Sequence, residues 1–272
     1  MKGEVSSTEA ASTYTPSLSR REASLLAEWE RARRSSITLD ELRRSVGPPA
    51  KDVVKSLLRK RVIERIGPGI YLVKPLRSLH RPSAPSPLVA IATLLRGQPY
   101  YLGGLWAFTH HRLTTQQYVS ALDVFVTRRR TRREIGGKRV AFHVLPARLL
   151  SYGLTTVTTE GVELRTSGVE RTLLDLLDRP LLAGNMTHAL ALFEEGLPKA
   201  DLATLVEHAR RGSRSSTCQR LGVLLERRHA PKSLQRALLK KIAGTRSLLS
   251  MQPDGPRVGH VNRTWRVVEN DH

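Results

Sequence analysis

The spacing of apolar residues divides the chain into segments typical of helix and segments typical of strand. Residues 19–34, 38–46 and 50–60 repeat apolar positions every three to four residues, which predicts three helices. The first two open with Ser19 and Thr38, each followed three residues later by glutamate, and this is the capping-box pattern. A Gly-Pro-Pro sequence ends the second helix. The sequence therefore predicts three short helices with defined ends.

The third predicted helix has an apolar side and a basic side. Its apolar residues are Val53, Val54, Leu57 and Leu58. At 100° per residue, the opposite side carries Lys51, Lys55 and Arg59, flanked by Asp52 and Ser56. An ordinary solvent-exposed helix carries the same kind of stripe, so the elements around it decide its meaning.

Two β-rich runs, residues 62–66 and 70–73, flank a Gly-Pro-Gly turn and predict a hairpin. Three helices followed by a hairpin is the element order of a winged helix-turn-helix domain, whose third helix enters the major groove. Such domains also bind proteins, and the basic helix face favours DNA. The predicted base contacts are Lys51, Asp52, Lys55 and Ser56, the predicted phosphate contacts are Arg43, Arg44, Arg59, Lys60 and Arg65, and the turn from Gly67 to Gly69 is expected at the DNA backbone or minor groove.

After residue 87 the pattern mixes strands with helices. Strands are predicted at 100–102, 122–127, 140–145, 154–158, 162–166 and near 264–268; helices are predicted at 88–95 and 105–111, from Ser167, and over most of the chain after Pro180. Ser167 and Glu170 match a third capping box. The fold class predicted is α+β, with an N-terminal winged helix-turn-helix domain followed by a larger mixed α+β domain that ends in helices.

A proline-rich stretch marks the boundary between these domains. Three prolines lie within residues 82–87 and fix an extended, semi-rigid connection. We predict a disordered lead-in at residues 1–17, a DNA-binding domain at 18–78, a linker at 79–87 and a second domain at 88–272.

Charge changes the picture because it is arranged in blocks. The chain of 272 residues has a formal net charge of +21. Residues 81–148 hold 11 basic and 2 acidic residues, residues 149–198 hold 3 and 7, and residues 199–241 hold 11 and 3. Blocks of positive charge attract polyanions, so nucleic acid is the first partner to consider and an anionic membrane surface the second. Charge kept only for solubility would not need an acidic block between two basic ones.

Several classes of protein are excluded at this stage. The longest uncharged apolar run, residues 88–95, is far shorter than the ~20 residues of a membrane helix. The N-terminal residues lack the apolar core of a secretory signal, so we expect a cytoplasmic protein with no membrane partner. A single cysteine, Cys218, excludes a disulfide framework and a multi-cysteine zinc site. Neither HExxH nor H-x3-H occurs, and we expect no metal and no cofactor.

Five stretches resemble AbiEi-type antitoxins, in the same order. They are 65–73 (RIGPGIYLV), 101–107 (YLGGLWA), 124–127 (VFVT), 167–180 (SGVERTLLDLLDRP) and 220–226 (RLGVLLE). The resemblance extends from about residue 19 to residue 268, and this chain departs from it at Pro68 in the hairpin turn and at Val223. It implies a non-enzymatic antitoxin whose winged domain binds inverted repeats of double-stranded DNA in its own promoter and represses the operon. It also implies a second domain that counteracts a nucleotidyltransferase-like toxin, by direct contact or indirectly.

A basic run lies between two predicted strands of the second domain. Residues 128–133 contain five arginines in six positions, and these repel one another at the tip of the expected hairpin. A structural need for them is difficult to name. We predict a second basic surface that binds a polyanion, either flanking DNA or the nucleic acid handled by the toxin. Its residues are Arg128, Arg129, Arg130, Arg132, Arg133, Lys138 and Arg139.

Enzymes are the rival class. A metal-dependent nuclease of the restriction type needs a carboxylate-x-lysine triplet, and the chain has none. The GxSxG, Walker and GxGxxG patterns are absent too. Acids that remain for such chemistry are Asp123, Glu160, Glu163, Glu170 and Asp175, which we expect to be solvated or paired with arginine. A stand-alone regulator that senses a ligand in the second domain stays open as well.

Arg220 and Glu226 either form an exposed pair or order the packing of their helix.

Overall fold

The computed structural model describes residues 16–74, 86–118, 121–135, 137–159 and 162–271. The predicted lead-in and linker fall largely outside these residues. The helices are α1 (Arg20–Arg31), α2 (Leu39–Val46), α3 (Ala50–Arg59), α4 (Pro87–Leu94), α5 (Gly104–His110), α6 (Val169–Asp178), α7 (Met186–Gly196), α8 (Leu202–Gly212), α9 (Ser215–Arg227) and α10 (Lys232–Ile242). The strands are β1 (Ser36–Thr38), β2 (Ile63–Gly67), β3 (Ile70–Val73), β4 (Tyr100–Gly103), β5 (Ala121–Val126), β6 (Arg133–Ile135), β7 (Lys138–Val144), β8 (Leu154–Thr159), β9 (Val162–Ser167), β10 (Leu249–Ser250), β11 (His260–Asn262) and β12 (Val267–Glu269). The fold is mixed α+β, which confirms the predicted class.

The chain divides into two compact units. The first contains the chain up to Arg96 together with Ile135–Gly137, and the second contains Gly97–Glu134 and Lys138–His272. Helix α4 therefore belongs to the first unit, although the sequence pattern groups it with the second domain.

The first unit packs α1, α2 and α3 with a small antiparallel sheet. The sheet has the strand order β1-β3-β2, and Arg65 of β2 pairs with Tyr71 of β3, which confirms the predicted hairpin. Strand β1 has only three residues, too few for its alternation to be seen in the sequence. The core of this unit includes Leu26, Trp29, Leu42 and Leu57, all nearly fully buried.

Two of the three predicted capping boxes are present. The Ser19 backbone N–H donates to Glu22 Oε2 at 2.7 Å, and the Glu22 N–H donates to Ser19 Oγ at 3.3 Å. Thr38 and Glu41 make the same reciprocal pair. These bonds satisfy backbone donors that a helix start otherwise leaves free.

The third predicted capping box, at Ser167, is wrong. The residue that caps α6 is Gly168, and it offers no side chain. Ser167 Oγ instead lies 2.7 Å from Thr172 Oγ1, and Glu170 accepts a hydrogen bond from the backbone N–H of Asp201 at 3.0 Å. Tertiary partners have taken both members of the local pattern.

The second unit is built on a six-stranded sheet with the order β6-β7-β5-β4-β9-β8, of which only Ile135, the last residue of β6, is grouped with the first unit. Strand β4 is antiparallel to β5 and parallel to β9. Strands β5 and β7 are parallel, with Leu122 opposite Val140, so the predicted hairpin between them is wrong. Because the two strands run in the same direction, the connection between them has to bring the chain back to the end of the sheet at which β5 begins, which a tight turn cannot do. Two strand-like runs joined by a polar segment do not reveal their direction in sequence.

Helices α5 to α10 contribute to the large core of this unit, and α7 to α10 lie after Pro180, where the sequence predicts mostly helices. Its fully buried residues include Phe108, Leu173, Phe193 and Leu221. Trp265 packs on α9 at Gly222, where an added Cβ would lie 2.0 Å from the indole ring. Only glycine admits this close approach.

The side chains of α9 settle two expectations about that helix. Arg220 is 7% exposed and donates to the backbone carbonyl groups of Ser250 and Met251, while Glu226 accepts from Asn262. Arg220 thus orders the packing of α9 and does not form an exposed pair with Glu226. Cys218, on the same helix, is fully buried, and its thiol lies 3.7 Å from the Ala209 carbonyl oxygen, which accepts from it.

Candidate nucleic-acid interface

Helix α3 presents a polar face to solvent. Ala50, Val54 and Leu57 are buried against the core of the first unit. The four predicted DNA contacts on the other face, Lys51, Asp52, Lys55 and Arg59, are all exposed. The 3.6-residue period separates these two sets, so the outward face combines three cations with one short acid.

Two other predicted contacts, Ser56 of α3 and Lys60 immediately after it, are directed at α1. Ser56 Oγ donates to Glu22 Oε1 at 2.7 Å, and Lys60 Nζ lies 2.6 Å from Glu22 Oε2. Burial alone would raise the pKa of the Glu22 carboxyl, but hydrogen bonds from Lys60, the Ser19 backbone and Ser56 outweigh it and lower the pKa to about 2. The residues Glu22, Ser56 and Lys60, called the α1–α3 joint below, fix α3 against α1. The sequence predicts that Ser56 and Lys60 contact DNA, because no local pattern reveals that their partner Glu22, more than 30 positions away, binds them.

The basic residues of α2 keep their positions at the surface. Arg43 lies 2.9 Å from Asp40 in an exposed ion pair, and Arg44 Nε donates to the Asp40 carbonyl oxygen at 3.4 Å. Exposed pairs of this kind contribute little to stability. Both guanidinium groups therefore stay accessible to a phosphate.

The turn between β2 and β3 is held down on the first unit. Gly67 is buried, and an added Cβ there would lie 3.1 Å from Leu94 of α4. Gly69 has φ +67°, which favours glycine, and its carbonyl oxygen accepts from the Leu39 backbone N–H at 2.8 Å. Arg65 is exposed, and its Nε donates to the Gly67 carbonyl oxygen at 3.3 Å. The predicted phosphate contact Arg65 is thus exposed, whereas in the predicted turn Gly69 is only partly exposed and Gly67 is buried.

The second basic surface lies on the connection from β5 to β7 and on the start of β7. Arg128, Arg129, Arg132 and Arg139 are exposed, and Arg130, Arg133 and Lys138 are partly buried. Arg130 Nη2 donates to Gln98 Oε1 at 2.8 Å, and burial, followed by the nearby Arg133, lowers the pKa of the Arg130 guanidinium. The positive charge of Arg133 thus lowers the affinity of Arg130 for its proton, which is the repulsion expected from the sequence.

A groove of about 910 Å³ runs beside part of this surface. It is lined by Arg132, Arg133 and Arg139, with Arg179 and Arg214 from the helical part of the second unit. His143 of β7 lies 2.7 Å from Asp123 of β5 in the same groove. No local pattern indicated that Arg179 and Arg214 join the run, since they are far along the chain.

Asp175, which the sequence leads us to expect either solvated or paired with arginine, is paired with Arg171 in a buried polar centre of the second unit. Tyr101 donates its hydroxyl proton to Asp175 Oδ2 at 2.8 Å, Arg171 Nε donates to Asp175 Oδ1 at 2.9 Å, and Arg171 Nη2 donates to the Tyr101 oxygen at 3.0 Å. All three residues are less than 5% exposed. Burial alone would lower the pKa of Arg171, but the Asp175 carboxylate outweighs it and holds that pKa above its ordinary value. The signal in sequence was an arginine and an aspartate four residues apart on a leucine-rich helix.

The residues that the structure describes contain neither a metal-binding cluster nor a membrane-spanning helix. No three or more of their histidine, cysteine, aspartate and glutamate side chains gather where they would hold a metal ion. Among the described helices, none combines the length and the apolar character needed to cross a bilayer.

The fold and these surfaces define an α+β protein with one basic helix face and one basic groove. Neither a protein-family model nor a curated protein matches the chain. Among solved structures, it is similar to the crystal structure of the RV2827C protein from Mycobacterium tuberculosis, with a TM-score of 0.66 and 14% sequence identity. The match covers 94% of this chain and 93% of that chain, so the similarity in fold extends over nearly all of both. At this identity the similarity concerns the fold alone.

Proposed function

We propose that this chain is a non-enzymatic DNA-binding antitoxin that represses its own operon and counteracts a nucleotidyltransferase-like toxin. The proposal combines the basic face of α3 with the resemblance to AbiEi-type antitoxins in five stretches of sequence. Its DNA half places α3 in the major groove of double-stranded DNA.

The outward face of α3 carries the DNA half of the proposal. Lys51, Asp52 and Lys55 are exposed near the start of the helix, where side chains of a groove-binding helix meet base edges. Arg59, one turn further, is placed for a phosphate. None of these four is needed for the core, which Val54 and Leu57 supply from the opposite side.

The rest of the first unit supports the same use of α3. The order α1, β1, α2, α3, β2, β3 is the order that a winged helix domain requires. The α1–α3 joint holds α3 by two hydrogen-bonded contacts to one carboxylate, so its outward face keeps a fixed direction. Positive Arg43 and Arg44 on α2 add phosphate contacts next to it in sequence order.

The DNA half is tested by fluorescence anisotropy with the full chain, a duplex of its own promoter and a scrambled duplex at the same salt. Replacing both lysines, Lys51→Gln with Lys55→Gln, should equalise the two affinities and leave weak, salt-sensitive binding. The double variant Arg20→Gln with Arg31→Gln removes the same charge from exposed positions of α1 and should keep the promoter preference. An unchanged preference in the α3 variant would remove α3 from the interface.

The antitoxin half is tested by co-expression with the neighbouring gene product, scored as recovery of growth. A chain lacking Lys51 and Lys55 should still restore growth when expressed from an unrelated promoter, because the proposal gives toxin control to the second domain. Failure of the intact chain to restore growth would reject the antitoxin half and leave the DNA half standing.

For the second basic surface we propose a polyanion as ligand. Alanine at Arg128, Arg129, Arg130, Arg132 and Arg133 should reduce the salt dependence of nucleic-acid binding by roughly one power of salt concentration for each phosphate that the variant no longer binds. The same slope in the variant, together with full growth recovery, would mean that the run is surface charge without a ligand.

A further inference from the structure

The second unit contains a cavity of about 210 Å³ that the proposed DNA binding does not use. It lies between the short 3-10 helix Ala147–Leu150, helix α6 and the segment that leads into α9. Because one water occupies about 30 Å³ of liquid, the cavity has room for about seven waters. Its walls are apolar at Leu145, Leu149 and Leu174, aromatic at Tyr152, and strongly charged elsewhere.

The two acids in the cavity wall are already engaged. Asp175 holds Arg171 and Tyr101, as described above. Asp178 accepts hydrogen bonds from Thr217 Oγ1 at 2.6 Å, from Ser213 Oγ at 2.8 Å and from the Arg214 backbone N–H at 3.2 Å. Asp178 therefore uses its carboxylate oxygens to accept from groups at the start of α9. Neither acid is left to attract a cation.

The basic residues of the wall are less completely engaged, because the ion pair of Arg171 with Asp175 leaves one nitrogen of its guanidinium group without an acceptor. Arg171 is 4% exposed, and its Nη1 has no hydrogen-bond partner in the part of the chain that the structure describes. Arg148, Arg179 and Arg214 also line the cavity, and among the described residues none of these three has an ion-pair partner. A buried donor without an acceptor costs free energy, and four guanidinium groups around one space repel one another.

One wall is additionally shaped by stacking. The guanidinium carbon of Arg171 lies 4.7 Å from the centre of the Tyr152 ring, and that of Arg211 lies 4.6 Å from it. These contacts hold both the ring and Arg171 in place, so the unsatisfied nitrogen cannot simply turn toward solvent. The site is preorganised around a donor that lacks its acceptor.

We propose that this cavity binds a small molecule through an anionic oxygen group, either a phosphate or a carboxylate. Arg171 Nη1 donates to that group, and Arg148, Arg179 and Arg214 balance its charge, since guanidinium groups match the geometry of both oxyanions. The leucine side chains and Tyr152 contact the remainder of the ligand. This function is separate from DNA binding by α3, while Arg179 and Arg214 line both this cavity and the groove beside the second basic surface.

The test is calorimetric titration of the full chain with inorganic phosphate and, separately, with succinate, at an ionic strength held constant with sodium chloride. We expect saturable binding of at least one of the two. Tighter binding of phosphate assigns a phosphate ligand, and tighter binding of succinate assigns a carboxylate. Binding of neither above the chloride background would overturn the proposal.

Variants locate the binding. Arg148→Gln with Arg214→Gln removes two cavity cations whose side chains are exposed at the rim, and should weaken binding at least tenfold. Arg236→Gln removes an exposed cation of α10 that is not part of the cavity wall and should bind as the unaltered chain does. Equal weakening in both variants would show diffuse attraction to a basic surface and would reject the cavity as the site.

Discussion

Each unit of the molecule contains a buried polar centre, and the two centres are built in opposite ways. In the first unit the centre is an acid: both oxygens of Glu22 accept, from Ser56 on one side and from Lys60 and the Ser19 backbone on the other. In the second unit the centre is a base: Arg171 has five N–H donors, but Asp175 and Tyr101 accept through only two of its nitrogens.

This difference decides what each centre can do. The acid-centred α1–α3 joint is complete, so its effect is to fix the position of a helix whose other face is exposed. The arginine-centred group keeps a donor in excess, so it has capacity for a further acceptor. A carboxylate with all its hydrogen bonds made fixes the elements that donate to it, whereas a guanidinium with a free N–H can still donate to a ligand.

The largest expected effect comes from breaking the arginine-centred group. Asp175→Ala leaves the Arg171 charge buried without its counter-ion and should lower the free energy of unfolding of the second unit by about 3–5 kcal/mol. Urea denaturation followed by tryptophan fluorescence measures this, with Trp29 replaced by phenylalanine so that Trp106 and Trp265 report the second unit alone. Glu207→Ala, which removes an exposed acid of α8, is the control and should cost less than about 0.5 kcal/mol. A small loss in Asp175→Ala would mean that water already reaches Arg171.

An intermediate effect is expected at the α1–α3 joint, and it depends on pH. The pKa of Glu22 is about 2 in the folded chain against an ordinary 4.5, so its stabilising contribution is complete above pH 4.5 and is lost as pH falls toward 2. Glu22→Gln keeps a side chain suited to the capping box but removes the charge, and should cost on the order of 2–3 kcal/mol at neutral pH.

The measurement is the unfolding free energy of the first unit, followed through Trp29, at several pH values from 6 to 3. The Gln variant should show a weaker decline than the unaltered chain in the acid range. Glu28→Gln, an exposed position on the same helix, should keep the full decline. Parallel pH profiles for Glu22→Gln and the unaltered chain would contradict the low pKa of Glu22.

The smallest effect is expected from Tyr101→Phe. This change removes the hydroxyl that links Arg171 to Asp175 but keeps the ring, which stacks on Phe125 at 4.5 Å. The second unit should lose about 1–2 kcal/mol, since the direct contact between Arg171 and Asp175 survives. The same fluorescence assay measures it, and a loss as large as that of Asp175→Ala would mean that the hydroxyl, not the ion pair, holds the centre together.

Local patterns could be predicted from sequence where the interacting residues are neighbours in the chain. The boxes at Ser19 and Thr38 were found because their hydrogen bonds span three residues, and the exposed lysines of α3 were found because a helix repeats every 3.6 residues. The box at Ser167 failed for the opposite reason, since Glu170 bonds a backbone N–H that lies 31 positions away.

The candidate sites follow the same division. Lys51 and Lys55 were predictable as outward-facing, whereas the turn of Ser56 toward Glu22 depends on how α1 packs on α3. The groove beside the second basic surface depends on the parallel pairing of β5 and β7, which no local pattern encodes. The cavity around Arg171 required three segments of the chain to converge, and only the i, i+4 spacing of Arg171 and Asp175 was visible in the sequence.

The fully buried Cys218 allows the rate at which the helical core opens to be measured by modification of its thiol. Burial, followed by the charge of Asp178, raises the pKa of this thiol to about 12, so the thiolate that attacks disulfide reagents is scarce at neutral pH. Reagent in solution reaches the fully buried sulfur only when the helical core around α9 opens. Because the sequence has one cysteine, each modified molecule has opened at this site, and the rate of labelling reports the rate of opening without an engineered probe.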